Sequence, residues 1–112
     1  MKKTKREKLE RAGFAVGDTQ EFLELSDAEM AMIEARVALA QALRHRRSRV
    51  LKISQANFAA RIGSSQSRVA KMEAGDPSVS LDLLIGSLVK SGTPLQEVGR
   101  VLSKAKPSSA AN

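Results

Sequence analysis

Apolar positions recur along this chain at steps of three and four, and no segment alternates with period two; both observations predict an all-α protein. The longest period runs from Ser26 to about Arg47, with Ile33, Val37, Ala40 and Leu43 as its apolar stripe. Ser26 and Glu29 form a capping box, in which each side chain accepts from the other residue's free backbone N–H. Val50 to Ile53 reads as a short connection. Ser54 then caps a helix that Gly63 stops, and Ser65 caps another from Gln66 to about Ala74, closed by Gly75. Asp76, Pro77 and Ser78 are loop residues, and Ser80 caps a helix from Leu81 to about Lys90 that Gly92 stops. Thr93 with Gln96, and Pro94 at the first helical position, predict a second capping box for a last helix reaching about Leu102. A further short charged helix is expected over residues 2–12, closed by Gly13, so five to six helices are predicted.

At 112 residues the chain has room for one domain. The expected organisation is a basic then acidic segment over residues 1–25, a helical domain over 26–102, and a small polar tail over 103–112 without fixed structure. Phe14, Phe22 and Phe58 are the only aromatics, so the core must be aliphatic. With no cysteine there is neither a disulfide nor a thiolate zinc site. No apolar run approaches the roughly 18 residues that span a bilayer, and the basic start lacks the apolar stretch of a signal peptide; a cytoplasmic, non-membrane protein is expected.

Charge sharpens the picture because of where it sits. The net charge is +7. Residues 13–35 hold six acids (Asp18, Glu21, Glu24, Asp27, Glu29, Glu34) and no base, whereas residues 36–71 hold nine bases (Arg36, Arg44, Arg46, Arg47, Arg49, Lys52, Arg61, Arg68, Lys71) and no acid. A solvated helix face usually interleaves both signs, so the second block points to a polyanion.

Residues 54–75 carry the sharpest signal. Gln55, Ala59, Gly63 and Val69 stand at relative positions 1, 5, 9 and 15 of a twenty-residue window. Two helices crossing steeply must touch closely, which requires a small Ala59, and the turn between them needs a residue that tolerates positive φ, which favours Gly63. Phe58, Ile62, Val69 and Met72 then face inward. At about 100° per residue, Ser67 and Lys71 point away from Val69 and Met72, with Gln66 and Ala70 beside them.

This window resembles the lambda-repressor and Cro-like helix-turn-helix proteins, the XRE family, in which the second helix of the pair lies in the major groove. The resemblance implies a lambda-repressor-like fold and duplex DNA as partner. Gln66, Ser67, Ala70 and Lys71 are then the base-reading candidates: Gln66 can make two hydrogen bonds to an adenine edge, Lys71 can reach guanine or a phosphate, and Ala70 permits close approach or a thymine methyl contact. Arg68 lies on the flank, for a phosphate first and guanine second. Gln55 heads its helix, where free amides and the helix dipole favour a phosphate. The resemblance adds that Gln55 supports the reading helix through Gln66. Asn57 stands where many relatives carry an acidic or glutamine capping partner, which weakens the cap and removes a charge beside DNA. Ser65 reads as a cap before a DNA contact, and Ser78 and Ser80 as weaker phosphate contacts. Glu73 is an acid within the reading segment; the resemblance implies that it pairs with an arginine of the preceding helix. Counting favours Arg47, with Arg44 and Arg46 as alternatives, across a connection one residue longer than usual.

Beyond the window, Ser65 to Leu84, Lys8 to Phe14, Glu21-Phe22-Leu23 and Leu25-Ser26 resemble small regulators related to HigA-type antitoxins. That implies a homodimer that represses its own operon at a palindromic operator and neutralises a toxin ribonuclease of the RelE or HigB kind. The acidic block over residues 13–35 then has a basic toxin to meet, or is simply a solvated helix start favoured by the dipole. A solitary regulator without a toxin uses the same helices. An RNA-binding module usually supplies aromatic platforms, which a chain with three phenylalanines lacks. No nucleophile with a base and no metal cluster converges around His45 or elsewhere, so neither an enzyme, a metal site nor a cofactor is expected.

Overall fold

The computed structural model describes residues 23–105, and among them the chain is all-helical, with five α-helices and no strand. These are α1 (Asp27–His45), α2 (Gln55–Ile62), α3 (Gln66–Glu73), α4 (Leu81–Lys90) and α5 (Leu95–Ser103), with a π-helical turn, Arg46–Leu51, continuing α1. The helix expected over residues 2–12 and the tail from Lys106 lie outside the described residues.

The chain divides into two compact units, Met1–Glu34 with Lys106–Asn112, and Ala35–Ala105. In the described part of the first, the capping box stands as its spacing predicts. The Ser26 backbone N–H donates to Glu29 Oε1 at 2.9 Å, and the Glu29 N–H donates to Ser26 Oγ at 3.0 Å. Leu23, Met30 and Glu34 are buried there.

The second unit is a helical domain around one core. Leu39 and Leu43 of α1 meet Phe58, Ala59 and Ile62 of α2, Val69 and Met72 of α3, Leu84 and Leu88 of α4, and Val98 of α5. At eight residues each, α2 and α3 are too short to persist alone. Burial holds them, at about 1.5–3 kcal/mol for each large apolar side chain. Ser54, Ser65 and Ser80 cap α2, α3 and α4, accepting from the N–H groups of Asn57, Arg68 and Leu83. Gly63 closes α2 at φ 70°, in the left-handed region that lets the chain turn straight into α3.

Three expectations need correction. Of the α1 stripe, Ala40 and Leu43 are buried, but Ile33 and Val37 are 37% and 44% exposed, and Leu39 takes the inward place. Val37 lies about 120° around the helix from Leu43, whereas Leu39 lies about 40° away. The α-helix ends at His45, near the expected Arg47, but Val50 and Leu51 do not belong to a plain connection: a π turn runs through Leu51, and Lys52 closes it at φ 57° with its N–H donating to the Arg47 carbonyl. Finally, Pro94 is the N-cap of α5 and not its first helical residue, and no side chain caps that helix.

Candidate nucleic-acid interface

The α2–α3 pair is fixed by a chain of polar contacts that begins at the end of α1. Arg47 donates from Nε to Glu73 Oε2 at 2.5 Å and from Nη2 to Glu73 Oε1 at 3.0 Å, while its Nη1 donates to the Ile53 carbonyl at 2.9 Å. Of the three arginines open by counting, Arg47 is the partner. The Glu73 side chain is 5% exposed, so its charge needs this satisfaction, and the carboxylate in turn raises the Arg47 pKa, first through the hydrogen bond and then through its charge. Gln55 Nε2 adds a third bond to Glu73 Oε1 at 3.1 Å. Because a carboxylate only accepts, the Gln55 amide is oriented with Oε1 outward, and that oxygen accepts from Gln66 Nε2 at 2.7 Å. The first residue of α2 is thus tied to both ends of α3.

This arrangement leaves Gln66 with one Nε2 hydrogen and its Oε1 free, the pair of groups an adenine edge requires. Gln66, Ser67, Arg68 and Lys71 are exposed and Ala70 is half-buried, while Val69 and Met72 have no exposed surface. Lys71 and Arg68 line one open groove of about 300 Å³ with Ser65, Ser67 and Ser78, so the expected base contact and the expected flank contact share a seat. Asn57 is exposed near the head of α2, where its backbone N–H donates to Ser54 Oγ. The Ser65 hydroxyl accepts from the Arg68 N–H at 3.2 Å and lies 3.3 Å from Ser67 Oγ, so it caps while remaining at the surface. Ser78 is placed at the groove, but its hydroxyl donates to Asp76 Oδ1 at 2.6 Å, which occupies the proton a phosphate would take.

The packing residues sit where the window spacing puts them. Phe58, Ala59, Ile62, Val69 and Met72 are all buried, Ala59 at 2% exposure. The other cations of the basic block divide into two kinds. Arg36 donates to the Val79 carbonyl at 3.1 Å, and Arg46 holds the Ser91 carbonyl with Nε and Nη2 at 3.1 and 2.7 Å. No salt bridge among the described residues engages Arg44, Arg49, Lys52, Arg61, Arg68 or Lys71. Sequence reasoning misses the roles of Arg36 and Arg46; their partners lie 43 and 45 residues away, and no local spacing signals such a pair.

Among the described residues, no three His, Asp or Glu side chains converge as metal ligands, and no helix is long and apolar enough to cross a membrane. No curated protein and no solved structure matches the chain significantly. The helix-turn-helix family model matches residues 46–86, from the π turn through α2 and α3 into α4. That match, laid on the face just described, supports a DNA-binding transcriptional regulator that carries a helix-turn-helix.

Proposed function

We propose that the protein is a sequence-specific repressor that reads a palindromic operator in duplex DNA as a homodimer. The observation that carries this reading is the outward side of α3. It presents Gln66, Ser67, Ala70 and Lys71 without a competing negative charge, because Glu73 is held by Arg47 and Gln55. Gln66, Ser67, Ala70 and Lys71 meet base edges, with Gln55, Asn57, Ser65 and Arg68 toward the phosphates. Ser78 serves a phosphate only by giving up Asp76. A two-fold pair of short readers multiplies a preference that one helix alone makes weak.

The regulator's setting follows from the resemblance to HigA-type antitoxins: it represses its own operon and neutralises a toxin ribonuclease of the RelE or HigB kind, the acidic block facing the basic toxin. A solitary regulator of the same family is the alternative. Co-purification with the product of an adjacent short basic reading frame separates the two.

Fluorescence anisotropy of duplexes tests the DNA reading: one from upstream of the gene and one shuffled, at two salt concentrations. The upstream duplex is expected to bind more tightly, and both affinities to fall as salt rises. Gln66→Ala is expected to erase about 1–3 kcal/mol of the preference, and Arg68→Ala to weaken both duplexes alike. Failure to bind either duplex at low salt refutes the proposal.

A further inference from the structure

A second basic surface lies outside the reading helix. His45, Ser48, Arg49 and Lys52 stand at steps of three and four along the end of α1 and its π turn, and together line an open depression of about 590 Å³. The neighbouring cations are already engaged, Arg46 by the Ser91 carbonyl and Arg47 by Glu73. Arg49 and Lys52 are exposed, no salt bridge among the described residues engages either, and no acid occurs between residues 36 and 71 to neutralise them from nearby in sequence.

The backbone beneath this surface is unusual in two independent respects. It is π-helical over Arg46–Leu51, a rare form that recurs at functional sites. It ends on Lys52 at φ 57°, a conformation in which a lysine is strained and a glycine would not be. The strained residue brings a cation to within two residues of Ser54, the cap of α2, and three residues ahead of Gln55, whose side chain bonds Gln66 at the head of the reader. The exposed basic face therefore borders the helix end from which the reader is oriented.

We infer that the π turn is a second phosphate-binding surface, on which Arg49 and Lys52 hold the backbone of the duplex flanking the bases that α3 meets. The inference rests on the DNA reading proposed above, and it gives the strained lysine a purpose, since a glycine at residue 52 relieves the backbone but loses the contact. Phosphate contacts carry no sequence information, so this surface adds affinity and salt dependence and leaves preference unchanged.

The test is the salt dependence of duplex binding by the full chain, wild type against Lys52→Gly and the Arg49→Ala/Lys52→Gly double variant. The slope of log affinity against log salt is expected to shallow by about 0.9 for each lost contact, hence by about 1.8 in the double variant. The ratio of upstream to shuffled affinity stays at the wild-type value, and Lys52→Gly melts higher than wild type while binding DNA more weakly. Lys104→Ala, the same charge change beyond the end of α5, leaves the slope unchanged. A wild-type slope in the double variant overturns the second surface while leaving the reader standing. An equal loss in Lys104→Ala also overturns it, because net charge then accounts for the effect. A wild-type chain that binds neither duplex overturns the reader and this surface together.

Discussion

At the end of α1, Arg46 and Arg47 turn inward, each holding a distant part of the chain; on α3, Arg68 and Lys71 face outward with no acid bridged to them among the described residues. Both pairs belong to the same acid-free block, and in the sequence they look alike. Position on the helix divides them. Arg47 shares the buried side of its turn and meets a carboxylate that is itself nearly enclosed, so the charge is spent on structure. Lys71 lies opposite Val69 and Met72 and Arg68 on the flank of the same helix, and both are exposed and remain available to a ligand. A basic stretch therefore overstates the charge a protein can offer a polyanion, and the shortfall is found by asking which cations already have partners.

The sharpest way to break this division is Arg47→Ala. It leaves Glu73 enclosed with only the Gln55 amide, and removing one partner of such a pair is expected to cost about 3 kcal/mol. Arg68→Ala, in contrast, is expected to leave the denaturation midpoint within about 0.5 kcal/mol of wild type. Chemical denaturation of the two variants measures both. Equal losses would mean that Arg68 also carries structure, and the contrast between the stretches would fail.

Gly92→Ala probes the seat of the other inward arginine. Gly92 sits at φ 102°, and a Cβ there would strike the Arg46 guanidinium, whose hydrogen bonds hold the Ser91 carbonyl at the end of α4. Backbone strain and the displaced arginine together are expected to cost about 2 kcal/mol. Gly63→Ala is the control: it has positive φ as well, but open space around the new carbon, and is expected to lose about 1 kcal/mol. Adding Arg46→Ala to Gly92→Ala should then cost little more, because the arginine's bonds to the Ser91 carbonyl are already lost. If the two glycine variants melt alike, Arg46 moves aside freely and its inward role is minor.

The reader was legible because its signals are local. Ser54, Gly63 and Ser65 set the helix ends within a few residues, and the inward faces, Phe58, Ala59, Ile62, Val69 and Met72, follow from spacing within one short window. The end of α1 was not legible in the same way. A helix that passes into a loop and one that widens into a π turn read much the same in sequence; here the turn widened. The α1 stripe failed for a related reason: steps of three and four drift around the helix, so Ile33 and Leu43 fit one period without sharing one face. Arg46 with Ser91 and Arg36 with Val79 are pairings that only the folded chain brings together.

The smallest expected effect concerns an acid with no such arginine. Glu34 is 8% exposed, its Oε2 has no hydrogen-bond partner among the described residues, and burial raises its pKa above the ordinary carboxylate value. A carboxyl whose folded pKa is raised favours folding while it is protonated, below its unfolded pKa of about 4.3, and that contribution is lost as pH rises through the folded value. At neutral pH the ionised Glu34 therefore weighs against the fold. Glu34→Gln keeps the shape and removes the ionisation, so it is expected to melt a few degrees above wild type at pH 7. The difference should shrink to nothing as pH falls toward 4. Thermal melts across that range measure it, and an advantage that stays constant with pH would assign the effect to amide packing instead.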